Sequence, residues 1–127
     1  MAKRNALDRA EMTLRDLALT YPESTEDFPW EHRAIKVRGK MFVVFAHDNG
    51  SLRVTAKLPV SNAHALGLPF AEPTGYGLGK SGWVTATFLP KDVVPLEMLR
   101  EWIDESYRAV APKKLVARLE QAGGRPG

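Results

Sequence analysis

Between Arg33 and Leu58 apolar residues recur at every second position, and turn residues break the repeat twice. That pattern commits the middle of the chain to an antiparallel sheet. Ile35 and Val37 alternate with Lys36 and Arg38, Gly39-Lys40 supplies a turn, and Met41 to Ala46 reads as a buried strand. Asp48-Asn49-Gly50 is a strong hairpin signal, because Asn and Gly tolerate the positive φ that a two-residue turn demands. In the third strand Leu52, Val54, Ala56 and Leu58 point one way while Arg53, Thr55 and Lys57 point the other. One face is therefore packed and the other solvated, as in an antiparallel sheet covered on one side.

The covering material is helical. Leu7, Ala10, Leu14, Leu17, Ala18 and Tyr21 recur at three-and-four spacing, with Asn5 as N-cap and Pro22 as the stop. Pro95 opens a second helix, whose inner face carries Leu96, Leu99, Ile103 and Val110, widened by Met98 and Trp102. Pro112 starts a third, with Leu115, Val116 and Leu119 inward and Gly123-Gly124 as its end. Ser61 to Leu66 reads as a short helix capped by Ser61 and closed by Gly67. Leu68 to Gly82 is a long connection with a short strand near Phe70, and Trp83 to Leu89 is a further strand. Pro22 to Glu31 holds four acids and two prolines without periodicity and reads as a loop. The expected fold is α+β in two layers, an antiparallel β-sheet with helices packed on one face. At 127 residues it is expected as a single domain over 1–122, with 123–127 a flexible tail.

Several functional classes drop out. The chain has no cysteine, which removes disulfides, thiolate catalysis and Cys-ligated zinc together and suits a reducing, cytoplasmic setting. Its first residues lack the continuous apolar stretch of a signal peptide, and the longest apolar run, Met41 to Ala46, is too short to span a membrane. His32, His47 and His64 show no metal-ligand spacing, Glu31-His32 is weakly constrained as an acid/base pair, and Ser81 and Ser106 lack a nucleophile elbow. No catalytic residue, metal or cofactor is expected. The run Gly75-Tyr76-Gly77-Leu78-Gly79-Lys80-Ser81-Gly82 imitates a phosphate-binding loop, but only three residues separate Gly75 from Gly79 and a strand, not a helix, follows.

Charge is more informative by distribution than by its net value of +3. From His32 to Leu58 the basic residues are Arg33, Lys36, Arg38, Lys40, Arg53 and Lys57, against the single acid Asp48. Lys36, Arg53 and Lys57 occupy the polar phase of their strands, where a phosphate backbone can lie across them. Arg108, Lys113, Lys114 and Arg118 surround the joint between the last two helices, where Pro112 exposes amides at a helix N-terminus. Each of these residues taken singly also fits a solvating role. Trp30, Trp83 and Trp102 are candidate stacking platforms; Trp102 fits the core, and Trp83, after the glycine-rich turn, is the one to test.

Phe28-Pro29-Trp30, Lys36-Val37-Arg38-Gly39-Lys40, Leu52 to Leu58, Gly79-Lys80-Ser81-Gly82-Trp83-Val84, and Ser106-Tyr107-Arg108 with Pro112-Lys113-Lys114 occur in this order along the chain. In that arrangement the chain resembles the MmcQ/YjbR family of small bacterial proteins. The resemblance implies a two-layer, double-wing-like fold, commonly labelled DNA-binding, with no agreed catalytic residues. By position Lys36, Arg38, Lys40, Lys57, Gly79, Lys80, Gly82, Trp83, Tyr107, Arg108, Lys113 and Lys114 match the family pattern. The chain departs from it in Ser81, where a histidine is frequent, and in a longer approach from Thr74 to Leu78.

The leading expectation is a non-enzymatic DNA-binding module with weak sequence specificity, contacting the backbone through Lys36, Arg38, Lys40, Arg53, Lys57, Lys80, Arg108, Lys113 and Lys114, with Trp83 beside them. No basic recognition helix is visible. About six phosphate contacts make affinity fall roughly a thousandfold between about 50 and 200 mM salt. The alternatives are a protein-interaction or chaperone-like adaptor working through a sheet face or edge, and a binder of small anionic ligands using Lys80 with the amides of Gly79 to Gly82. The acidic loop is expected to lie over the basic surface of the same or a neighbouring molecule, so that replacing Glu26 and Asp27 with Ala tightens binding.

Overall fold

Two turns with left-handed backbone organise the sheet in the computed structural model, which describes residues 6–123. Arg38 and Gly39 have φ of 52° and 80°, Asn49 and Gly50 have 51° and 83°, and each pair joins adjacent strands by a tight hairpin. The strands are β1 (Ser24–Asp27), β2 (Arg33–Val37), β3 (Lys40–Asp48), β4 (Ser51–Lys57), β5 (Ala71–Pro73) and β6 (Trp83–Phe88). They form one antiparallel sheet in the order β1-β2-β3-β4-β6-β5. The helices are α1 (Ala6–Ala18), α2 (Asn62–Ala65), α3 (Leu96–Val110) and α4 (Lys113–Gln121). The architecture is α+β, with α1 and α3 packed on the sheet as the alternation in β4 requires. No helix among the described residues is long and apolar enough to cross a membrane.

The core lies between the long helices and one sheet face. Leu52, Val54, Ala56 and Leu58 are all fully buried, against Leu7, Leu14, Leu99 and Ile103. The register slips between Ile35 and Lys36, so Phe42 and Val43 are both buried although adjacent. Phe42 then meets Tyr107 edge-on with centroids 5.2 Å apart, and Tyr21 lies 4.8 Å from Tyr107. The phenols find partners, Tyr21 donating to Asp104 and Tyr107 to the Pro22 carbonyl, each at 2.8 Å. Burial holds the Tyr107 phenol above its ordinary range, which keeps that donor protonated.

Several expectations need correction. Pro22 to Glu31 is not a loop throughout. Ser24–Asp27 is an edge strand, paired with β2 from Ser24 opposite Val37 to Asp27 opposite Ala34. It has no apolar face to reveal it; cations on its neighbours hold it instead. Glu26 takes Arg15 at 2.9 Å and also Arg33, while Asp27 takes Lys36 at 2.8 Å. Helix α1 stops at Ala18, short of Pro22, because Thr20 turns back on the Leu17 carbonyl through both its amide and its hydroxyl. Ser61 precedes α2 but does not cap it; its hydroxyl donates to Glu105 at 2.6 Å. Trp102 is core, as its place on α3 implies. Asn5, the expected cap of α1, the side chain of Trp30 and the tail beyond Gly123 lie outside the described residues.

Candidate nucleic-acid interface

Ser106 shapes the end of the sheet where the basic residues gather. The paired register of β3 and β4 runs from Asp48 opposite Ser51 to Val43 opposite Ala56. One step further, the Lys57 amide donates to the Ser106 hydroxyl at 2.9 Å, and that hydroxyl donates to the Phe42 carbonyl at 2.5 Å. The hydroxyl thus stands between two strands that would otherwise pair at this step. Ser106 is fully buried. The helix it belongs to continues past the sheet, and its last residues, Ala109 and Val110, reach the mouth of a groove.

That groove encloses about 520 Å³ and is lined by Lys36, Lys40, Met41, Lys57, Trp83 and Val110, with Pro29, Gly39 and Ala109 at its margins. Each lysine arrives by a different route. Lys36 is on the polar phase of β2, Lys40 follows the left-handed turn, and Lys57 is the last residue of β4, directly opposite Trp83, the first residue of β6. Trp83 and Lys57 are both half-buried, and both line this groove. The Lys40 and Lys57 ammonium groups have no ion-pair partner among the described residues. Lys36 is held by Asp27, and that contact lowers the carboxyl pKa, helped by the Phe28 amide.

A second group of cations adjoins the groove through the same turn. Arg38, two residues from Lys40, meets Glu23 at 2.5 Å, and Arg118 approaches the same carboxylate at 3.7 Å. Arg38 lowers the Glu23 pKa through its hydrogen bond, with Arg118 and Lys114 adding electrostatically. The two groups bring together six cations, Lys36, Arg38, Lys40, Lys57, Lys114 and Arg118, around the two carboxylates Asp27 and Glu23. A surplus of four positive charges remains.

The other residues expected to touch nucleic acid are placed apart. Arg53 is paired with Glu72 at 3.3 Å, and Arg108 is taken by Asp104 at 2.7 Å and by Glu120. Lys80 sits in the 3-10 turn Leu78–Ser81 and does not line the groove. Lys113 is exposed on the first turn of α4. Three of the four amides expected to form an anion nest in the glycine-rich loop already have backbone partners. The amides of Gly79, Lys80 and Gly82 are spent on the carbonyls of Thr74, Gly77 and Gly79. Gly82 has φ 90°, and a Cβ there would meet the Leu58 carbonyl at 3.2 Å, so this loop passes close against the backbone that follows β4. Ser106 and Tyr107, part of the motif that carries the family resemblance, hold backbone groups inside the fold. The acidic segment meets the basic surface through Glu23 and Asp27, whereas Glu26 turns toward α1. Met41 and Val110 reach the site through the fold alone, with nothing local in the sequence to mark them.

The model of a family described as YjbR matches residues 19–109. That span holds all six strands and nearly all of α3, including every residue that lines the groove except Val110. Among solved structures, the crystal structure of Deinococcus radiodurans protein DR2400, described as a DUF419 domain, is similar at 28% identity with a TM-score of 0.65. The likeness covers 94% of this chain and 88% of that one. No curated protein matches.

Proposed function

The chain belongs to the YjbR family, and from that premise we propose that it is a non-enzymatic DNA-binding module that grips the backbone at the groove with weak sequence specificity. The observation that carries this reading is the convergence of Lys36, Lys40 and Lys57 on one groove beside Trp83. Ammonium groups neutralise phosphates without reading sequence, and an indole at the same place stacks on any base that is free to unstack. A single strand uses both features and a duplex only the first. The module therefore binds single strands at least as tightly as duplex.

The adaptor alternative finds less support. Both outer strands are short; β1 carries Glu26 and Asp27, and β5 ends in Pro73, features that discourage addition of a further strand. The four most exposed of the large apolar residues, Phe28, Val60, Tyr76 and Val93, belong to four separate connections.

The test is fluorescence anisotropy of labelled single-stranded and duplex DNA of mixed sequence at low salt. Micromolar binding, weakened about tenfold for the single strand by Trp83→Ala, is the expected result, since stacking on one aromatic contributes about 1–3 kcal/mol per base. Failure of either DNA to bind at low salt overturns the reading.

A further inference from the structure

A second cavity, of about 320 Å³, opens where α1 meets β3 and the Pro29–Glu31 turn, and its lining differs chemically from that of the basic groove. It is faced by Asp8, Glu11, Glu31 and His47, with Arg33 at one side and Met12, Phe28 and Phe45 completing the wall. Among the described residues, three carboxylates and an imidazole thus stand against one guanidinium. Asp8 and Glu11 are one turn apart on α1 and so share a face; His47 comes from β3, 36 residues away.

Glu11 is the central group. It is 6% exposed, on a helix face otherwise made of Leu7, Ala10, Leu14 and Ala18. A buried carboxylate requires partners for both oxygens. Oε2 accepts from Arg33 Nε at 2.8 Å, and Oε1 lies 2.6 Å from His47 Nε2. Arg33 does not belong to this site alone, because it also serves Glu26. The second oxygen of Glu11 is therefore directed at an imidazole nitrogen, and a carboxylate of Asp8 completes the set. One donor atom from each of Asp8, Glu11 and His47 lies within 4.8 Å of the other two.

We propose that Asp8, Glu11 and His47 bind a first-row divalent transition-metal cation such as Zn²⁺, in place of the direct contact between Glu11 and His47. Bonds of about 2.0–2.2 Å hold two ligands of one ion roughly 3.5 Å apart, so the Glu11 oxygen and the His47 nitrogen, 2.6 Å apart in direct contact, separate to admit the ion while Asp8 closes on it. Asp8 is half-buried and His47 exposed, so neither side chain belongs to the core that holds Glu11. One nitrogen and two oxygens favour zinc, manganese, cobalt or nickel over magnesium or calcium, which prefer oxygen alone. Arg33 keeps Oε2, orienting the carboxylate so that Oε1 faces the ion, as a supporting partner does in metal sites generally. Three protein ligands leave room in the cavity for a bound water.

The experiment is calorimetric titration of the untagged chain with ZnCl2 and MnCl2 in a non-chelating buffer, beside melting curves. Glu11 is avoided because losing it strands Arg33. His47→Ala and Asp8→Asn alter surface-accessible groups, and their apo melting temperatures are expected within a few degrees of the parent. One equivalent binds at micromolar affinity, raises Tm by several degrees, and is weakened at least tenfold by either substitution, while His64→Ala changes nothing. Binding absent up to millimolar ion overturns the proposal. So does binding that persists in His47→Ala and Asp8→Asn, or that is lost in His64→Ala instead.

Discussion

Replacing Ser106 with Ala removes a single oxygen, yet two backbone groups depend on it. The Lys57 amide and the Phe42 carbonyl both end on that hydroxyl, and the site is fully buried, so water cannot take its place without the helix moving. An unsatisfied buried donor or acceptor costs about 1–3 kcal/mol, which for two groups and some relaxation gives a loss of about 2–4 kcal/mol. With a urea dependence of about 2 kcal/mol per molar for a domain of this size, the midpoint falls by roughly 1–2 M at unchanged slope. Urea titration followed by far-ultraviolet circular dichroism and by tryptophan fluorescence reads this directly. A loss below about 1 kcal/mol would refute the reasoning, because β3 and β4 would then be closing directly at Phe42 and Lys57 without the wedge. The groove should suffer in step, since Ala109 and Val110 reach it only by way of the same helix.

Three further outcomes follow from the charge network. Asp27→Asn frees Lys36, and Glu23→Gln frees Arg38 and Arg118, so each should tighten DNA binding and steepen the salt dependence by nearly one unit of slope; anisotropy at several salt concentrations measures both. The Glu26→Ala change acts elsewhere: it releases Arg15 and Arg33, loosens α1 from the first two strands, and should cost about 2 kcal/mol in urea while leaving DNA affinity unaltered. Glu26 also sets an acid limb of stability. Arg15 first, and then Arg33, hold its folded pKa below the ordinary 4.5. Its contribution is therefore complete above that value and is lost as pH falls through the folded pKa, so unfolding free energy measured from pH 6 to pH 3 should decline less steeply in Glu26→Gln than in the parent.

How much of this was legible in the sequence depends on where each signal is stored. Leu52, Val54, Ala56 and Leu58 announce their strand because each one's own chemistry matches its side of the pleat. Asn49-Gly50 announces its turn because those residues tolerate left-handed backbone. Ser24-Thr25-Glu26-Asp27 announces nothing, being polar on both faces; its strand is held by Arg15, Arg33 and Lys36, which lie 7 to 11 residues away on other elements. The lysines of the groove were visible as a basic segment, but which of them remain unpaired is a property of the folded surface. Val110 packs against the core, as its place on the inner face of α3 implies, and borders the groove as well, which only the fold reveals. His47 carried no spacing signal because its companions, Asp8 and Glu11, are on a helix that precedes the sheet. The double substitution of Glu26 and Asp27 joined two neighbours in sequence that face opposite sides of β1, and only Asp27 touches the basic surface.

The central claim is that DNA lies on the groove and its adjoining turn and not across the whole basic sheet. A surplus of four positive charges gives a slope of log affinity against log salt of about −3 for a single strand, a loss of roughly fiftyfold between about 50 and 200 mM, whereas six phosphate contacts on duplex would give roughly a thousandfold. Measuring that slope for the parent and for Lys40→Ala/Lys57→Ala separates the two arrangements. With DNA on the groove, the slope is about −3 for the parent and shallower by about 1.5 for the double variant, with Arg53→Ala and Lys113→Ala close to the parent. A parent slope near −5 that Arg53→Ala and Lys113→Ala reduce while the groove variant does not would contradict it.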